Sequence, residues 1–198
     1  MNDDTPVVPR LRGEDLAASR RLGTTQIYKI EIAVPPERIW EAITDPDWTE
    51  RYGYGGRAVV EPRVGGRYIV EKPPHLRVVA PDGTVPAPDI IIEGVVTAYD
   101  PPLLLAAKMR FLVDPESAEE PATEVRYEIT GLGDDRSRLT VTHDLLGAPH
   151  MAAVVSGNFE PLGAGGGHPY MLRDLKSLLE TGRSLREEDG NGSGDVIP

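Results

Sequence analysis

The sequence predicts an α+β domain, an antiparallel sheet of successive short strands closed by one long C-terminal helix. Three observations predict it. Apolar residues recur at every second position in segment after segment between residues 26 and 145. Most of these segments are joined by turn chemistry too short for a helical crossover. The final apolar stretch, residues 169–181, then changes to helical spacing, giving the order strand, short helices, six strands, long helix.

The first strand is read in "QIYKIEIAV", where Tyr28, Ile30 and Ile32 share one face and Lys29 and Glu31 the other. "PPERIWEAITDP" reads as a short helix. Pro36 suits its first turn, Ile39 and Ile43 lie four apart, and Asp45-Pro46 stops it; a second short turn is expected at "DWTERYG". Six strands follow: "RAVVE", "GRYIVEK", "IIIEGVVTAYD", "LLLAAKMRFLV", "TEVRYEITG" and "SRLTVTHDL". Gly65-Gly66, Asp100-Pro101-Pro102 and Gly133-Asp134-Asp135 punctuate them. The segment from Pro73 to Asp89 carries Pro-Asp-Gly and predicts a protruding hairpin or an irregular loop. "HMAAVVSGNFEPL" is broken by Gly157 and Pro161 and is given no element. Four glycines then precede the last helix, which has Pro169 in its first turn and Leu172, Leu175, Leu178 and Leu179 on one stripe. Three units result: residues 1–24 as a flexible N-terminal segment, 25–182 as the folded domain and 183–198 as a flexible tail.

Composition excludes several classes of function. A chain of 198 residues with 39% hydrophobic content buries one full core. Its 21 Lys+Arg against 32 Asp+Glu give a net charge of -11, which repels nucleic acid and anionic membrane surfaces. The absence of cysteine removes thiol and disulfide chemistry, and four scattered histidines give no metal-ligand spacing, so neither a metal nor a cofactor is expected. The acidic start and the lack of any long apolar run predict a cytoplasmic protein without a membrane span. "GAGGGHPYMLRD" is not a phosphate cradle. The third glycine of G-x-G-x-x-G counted from Gly163 falls on His168, and no Lys-Ser or Lys-Thr pair follows.

"VPPERIWEAITDP", "EPRVGGRYIVE", "EGVVTAYDPP", "RLTVTHDLLG" and "GGGHPYMLRDLKSLLE", in that order, resemble the START-like helix-grip superfamily. It is also known as SRPBCC or polyketide cyclase/birch-pollen-allergen-like. The branch most similar is the activator of heat-shock-protein-90 ATPase homologue family, and the resemblance covers residues 25–182. It implies a curved seven-stranded antiparallel sheet wrapped around a long C-terminal helix, with an apolar cavity between them and a short helix pair after the first strand. The chain departs from the family pattern at Gly167-His168-Pro169-Tyr170, where Gly-Trp is common, and in the length of the 73–89 insertion. With the cavity in view, Gly165, Gly166 and Gly167 read as a hinge for the last helix.

Alternation selects the candidate ligand-binding residues. Leu139, Val141 and His143 share a face, as do Val125, Tyr127 and Ile129; Ala107, Met109 and Phe111; and Tyr68 with Val70. Tyr68, Met109, Phe111, Tyr127 and His143 are therefore expected beneath the last helix, with Tyr170 at its start. His143 and Tyr127 are the weak catalytic candidates, as a general base and a hydroxyl, against the blander reading of packed and hydrogen-bonded side chains. His75, His150 and His168 are expected in solvent, and Glu93 calls for a partner such as Arg110 or Arg126. The leading function is binding of a small hydrophobic molecule, aromatic or polyketide-like. The alternatives are a polyketide cyclase or aromatase, a self-resistance protein capturing a toxic natural product, and a co-chaperone-like interaction module. Oligomeric state is not legible.

Overall fold

The computed structural model describes residues 7–8, 24–74, 76–80, 83–158 and 166–188. The elements are β1 (Val7–Val8), β2 (Thr25–Ile32), α1 (Pro36–Thr44), α2 (Pro46–Thr49), β3 (Arg57–Val60), β4 (Arg67–Glu71), β5 (Arg77–Ala80) and β6 (Gly83–Pro86). They continue with β7 (Ile90–Asp100), β8 (Leu104–Phe111), α3 (Pro115–Glu119), β9 (Thr123–Gly133), β10 (Arg136–Asp144), α4 (Pro149–Ser156), α5 (Gly167–Thr181) and α6 (Leu185–Glu188). Seven strands form one antiparallel sheet in the order β2-β10-β9-β8-β7-β4-β3, the helix-grip architecture.

Local chemistry explains the elements. Pro36 opens α1, whose Ile39, Ala42 and Ile43 are buried, and extended Asp45 ahead of Pro46 ends it. The Asp45 side chain then caps α2 by accepting from the Asp47 N–H at 2.8 Å. Asp134 and Asp135 both hold φ 51°, the two-residue turn that joins β9 to β10 with the right twist. Gly94 sits where a Cβ would lie 2.4 Å from the Lys108 carbonyl, so β7 approaches β8 there only because the residue is glycine.

Register fixes one face of the sheet as interior. Tyr68 stands opposite Gly94, Gly94 opposite Met109, and Met109 opposite Thr123. The next row runs Val96, Ala107, Val125, His143, Gln26, and the one after it Tyr99, Leu105, Tyr127, Val141, Tyr28. Leu172, Leu175 and Leu178 of α5 are buried with these rows in one core, and each such leucine contributes about 1.5–3 kcal/mol. The opposite face is wet and charged, with Arg138–Glu31 at 2.6 Å and Arg126–Glu128 at 3.2 Å. Glu93 lies on this exposed face across from Arg110, so it needed no buried partner.

Four expectations are corrected. The 73–89 segment is a hairpin, β5 with β6, but it does not protrude: Leu76, Val78 and Ala87 are buried in the main core. Val7–Val8, placed in the flexible N-terminal segment, pairs parallel with β5, because that hairpin offers a free edge; residues 1–6 and 9–23 lie outside the described residues. "HMAAVVS" is a helix, α4, with Pro149 at its first turn and Gly157 at φ 72° ending it. Residues 183–188 of the flexible tail are ordered by hydrogen bonds to Asp174, described below; 189–198 lie outside the description.

Candidate functional site

Two polar groups lie beneath α5, and a third clasps α4 to the sheet. The first joins the start of α5 to the sheet. His143 is fully buried, with its Nε2 2.9 Å from Thr123 Oγ1 and its Nδ1 3.1 Å from His168 Nε2. Gln26 Nε2 donates to the Ala152 carbonyl at 3.0 Å, and the Tyr28 hydroxyl donates to Gln26 Oε1 and lies 3.2 Å from the Val155 carbonyl. The Tyr28 and His168 rings meet at 5.2 Å. Burial holds the His143 imidazole at about 3, with the neighbouring His168 adding to the depression, and burial holds His168 at about 4, so both rings are neutral. A neutral pair at this distance shares one proton between the facing nitrogens, and the other His143 nitrogen is taken by Thr123. Burial likewise pushes the Tyr28 hydroxyl up to about 12.

The second group is tyrosine-rich. The Tyr127 hydroxyl donates toward that of Tyr68, which raises Tyr127 and lowers Tyr68, and Tyr52, close to both, donates to the Ala42 carbonyl at 3.3 Å. Desolvation raises all three hydroxyls, Tyr127 well above its usual 10.0. Around Tyr127 on the same face, Leu105, Val125 and Val141 have no exposed surface and Ile129 almost none, yet Tyr127 itself keeps accessible area. Asp174, fully buried on α5, accepts from Gly53 N at 2.7 Å, Ser184 Oγ at 3.0 Å and Leu185 N at 2.7 Å. Its negative charge is one of the influences that raise Tyr52.

The third group fixes α4. Both Glu120 oxygens accept from the N-terminus of α4, from His150 N at 2.7 Å and Met151 N at 3.0 Å. His150 Nε2 lies 3.4 Å from Asp114 Oδ2, which also accepts from Ser117 Oγ at 2.7 Å. Burial would raise the Asp114 carboxyl, but the hydrogen bonds from His150 and Ser117 outweigh it and hold it at about 2.

The structure brings Tyr68, Met109, Tyr127 and His143 onto one interior face. Phe111, at the end of β8, packs between the main core and the apolar side of α4. Tyr170 lies outside the sheet rows against Tyr54, ring centroids 5.5 Å apart. Of the glycines read as a hinge, Gly165 lies outside the described residues. Gly167 donates its N–H to the Tyr54 hydroxyl at 2.8 Å and holds φ 56°, and a Cβ there would sit 2.3 Å from the Val155 carbonyl. A Cβ on Gly166 would sit 2.5 Å from Tyr170 Cβ. These two form a close backbone crossing between α4 and α5.

The expectation of solvated histidines is corrected for two of the three, since His150 and His168 are both buried; His75 lies outside the described residues. Sequence reasoning passed over Thr123, Gln26, Tyr52 and Asp174. Asp174 carried a signal: with Leu175 and Leu178 it falls on the buried stripe of α5. Among the described residues no three His, Asp or Glu side chains converge on a metal position, and no helix is long and apolar enough to cross a membrane.

A family model described as Activator of Hsp90 ATPase homolog 1-like protein matches residues 33–180. No curated protein sequence matches the chain. Among solved structures, an HSP90 activator from Plasmodium falciparum is 19% identical, with a TM-score of 0.54 over 79% of this chain and 96% of that one. A protein from Mycobacterium smegmatis is 21% identical, with a TM-score of 0.52 over 80% and 91%. DynU16, a putative protein in the dynemicin biosynthetic locus, is 20% identical, with a TM-score of 0.55 over 82% of this chain and 49% of that one. At these identities the likeness is one of fold.

Proposed function

Because the chain belongs to the Activator of Hsp90 ATPase homolog 1-like family, a branch of the START-like helix-grip superfamily, we propose that it binds a small apolar molecule between the inner face of its sheet and α5. One observation carries this reading. Tyr127 sits at the middle of the inner face among fully buried neighbours, strongly desolvated, and still keeps accessible surface. A side chain in that condition borders an internal space, and an apolar space with few polar groups is what a small-molecule site consists of. Met109, Phe111 and the tyrosines suit an aromatic or polyketide-like occupant through soft, polarizable contacts.

The cyclase or aromatase alternative asks His143 to accept a proton. Both of its ring nitrogens are engaged and its ring is held at about 3, which opposes that role near neutral pH. Self-resistance by capture is a use of the same binding and needs no further residue. The co-chaperone reading draws on the family's description, and no surface observation adds to it.

Titration with Nile red tests the proposal. Saturable fluorescence enhancement is expected, weakened at least tenfold in Tyr127→Trp, whose larger ring fills the space, at an unchanged melting temperature. Enhancement that never saturates, or that is equal in the variant, refutes it.

A further inference from the structure

The two edges of the main sheet are treated differently. An edge strand presents a row of N–H and C=O groups to any extended chain, and folds cover or interrupt such rows. At β3 the cover is α2, where Thr49 Oγ1 accepts from Ala58 N at 2.8 Å. At β2 the cover is partial. The Thr24 carbonyl accepts from Leu145 N at 2.6 Å, on the β10 side, so even-numbered residues of β2 address β10 and odd-numbered ones face outward. Two side chains of α5 close the far end of the outward row: Lys176 Nζ donates to the Glu31 carbonyl at 2.7 Å, and Glu180 Oε1 accepts from Ala33 N at 2.7 Å. The outward backbone groups of Thr25, Ile27 and Lys29 have no partner among the described residues.

This bare stretch is centred on Ile27, which at 60% exposure is the most exposed large hydrophobic residue of the seven strands. The stretch is complementary to itself. Laid antiparallel against a second copy about a two-fold axis through Ile27, it sets Ile27 opposite Ile27 and Thr25 opposite Lys29, and each facing pair exchanges two backbone hydrogen bonds. The exposed isoleucines then cover one another on the wet face of the sheet. Charge agrees with this register. Lys29 is exposed and has no salt bridge among the described residues. Thr25 stands beside Asp144, and Asp144 beside Glu124, both carboxylates exposed. Across the axis the row therefore reads Lys29, then Thr25, Asp144 and Glu124 of the second copy. Asp144 lies two strands from Lys29, roughly 10 Å, within reach of two extended side chains. The symmetry repeats the arrangement on the other side.

We propose that residues 25–29 of β2 are a self-association surface, on which two copies of this chain pair edge to edge about a two-fold axis through Ile27 and join their sheets into one. Pairing at this edge needs no ligand and stands apart from the binding reading. So short a run buries less than a standard interface, which puts the dimer in the weak class, with a Kd of roughly 10–300 µM.

Sedimentation equilibrium of the full chain, from about 20 to about 500 µM, brackets that range. At about 0.15 M salt the Debye length of about 8 Å screens the repulsion between two chains of net charge -11. A monomer–dimer equilibrium is expected. Ile27→Lys, a change at an exposed position that sets like charges face to face on the axis, should weaken it about tenfold or more. Register is tested by cross-linking, because the chain has no cysteine of its own. Facing residues of a hydrogen-bonded pair stand about 5.5 Å apart at Cα, inside the range a disulfide spans. Ile27→Cys should therefore oxidise to a covalent dimer at least about tenfold faster than Leu146→Cys, whose position is 69% exposed but off the edge. Amide exchange gives a third reading: the Ile27 and Lys29 N–H groups should exchange freely in dilute protein and slow as concentration rises. A chain that stays monomeric at the highest concentration overturns the proposal, and so does a dimer unaffected by Ile27→Lys. Equal cross-linking rates for the two cysteine variants refute the register. Protection of these amides already in dilute protein means that the chain covers its own edge, and refutes it as well.

Discussion

The buried His143–His168 pair makes a quantitative demand on stability. Folded, the rings are held at about 3 and about 4; unfolded, both return to 6.5. Between those values the unfolded chain binds more protons than the folded one, so stability rises with pH. The contribution is complete above pH 6.5 and is lost as pH falls from 6.5 toward 4 for His168 and toward 3 for His143. At pH 5.0 each ring stands 1.5 units below its unfolded value, worth about 2 kcal/mol at 1.36 kcal/mol per unit. Coupling through the shared proton makes roughly 2 to 4 kcal/mol the range for the pair, a large part of the 5–15 kcal/mol typical of a domain. Asp114 does not contribute in this window. Held at about 2 against 3.8 unfolded, it adds stability above pH 3.8 that is lost only as pH falls toward 2. The assay is urea unfolding at pH 7.5 and 5.0, followed by circular dichroism, on the parent and on His143→Gln/His168→Gln. The parent should lose the stated amount and the double variant at least 2 kcal/mol less. Proton NMR gives an independent reading, since the two ring Cε1–H shifts should stay flat from pH 7.5 to 5. A titration midpoint near 6.5 in either ring, or equal losses in parent and variant, refutes the reasoning.

The backbone crossing between α4 and α5 predicts that Gly167→Ala lowers stability by about 2 kcal/mol or more, through both its left-handed φ and its contact with the Val155 carbonyl; Gly182→Ala, at φ 79° with open space around it, should cost only about 1 kcal/mol, both read as urea midpoints. Should Gly167→Ala instead slow ligand association at an unchanged midpoint, the hinge reading of this stretch would be supported. Asp174→Asn replaces an acceptor for three donors with a group that itself donates, and should destabilise by about 3 kcal/mol, with faster amide exchange at Leu185 as a local sign. Glu120→Gln should cost about 1 kcal/mol by removing charge from the α4 N-terminus, and added salt should shrink the difference.

The sheet was legible because alternation is written into each strand: the inward placement of Tyr68, Met109, Tyr127 and His143 follows from period two alone. α4 was not, since "PHMAAVVS" is short and apolar on all sides, and periodicity has nothing to grip in such a segment. The clusters were hidden for a different reason. His143 and His168 are 25 positions apart, Gly53 and Asp174 are 121 apart, and no local pattern encodes a meeting made by the closure of α5 onto the sheet. His168 was misread because a residue at a helix start after glycines is usually wet, and here Tyr28 and His143 cover it. The ordering of residues 184–188 did leave a trace, the S-x-x-E pattern of Ser184 to Glu187, with the Ser184 hydroxyl accepting from Arg186 N at 3.2 Å.

Asp174 also sets where the chain can be cut. The family match ends at residue 180 and the last turn of α5 at Gly182, which invites truncation there. Two of the three donors to this carboxylate, Ser184 Oγ and Leu185 N, lie beyond that point, and removing them leaves a fully buried charge held only by Gly53 N. A chain ending at 182 therefore carries its own destabilising lesion, whereas one ending at 188 keeps the carboxylate satisfied.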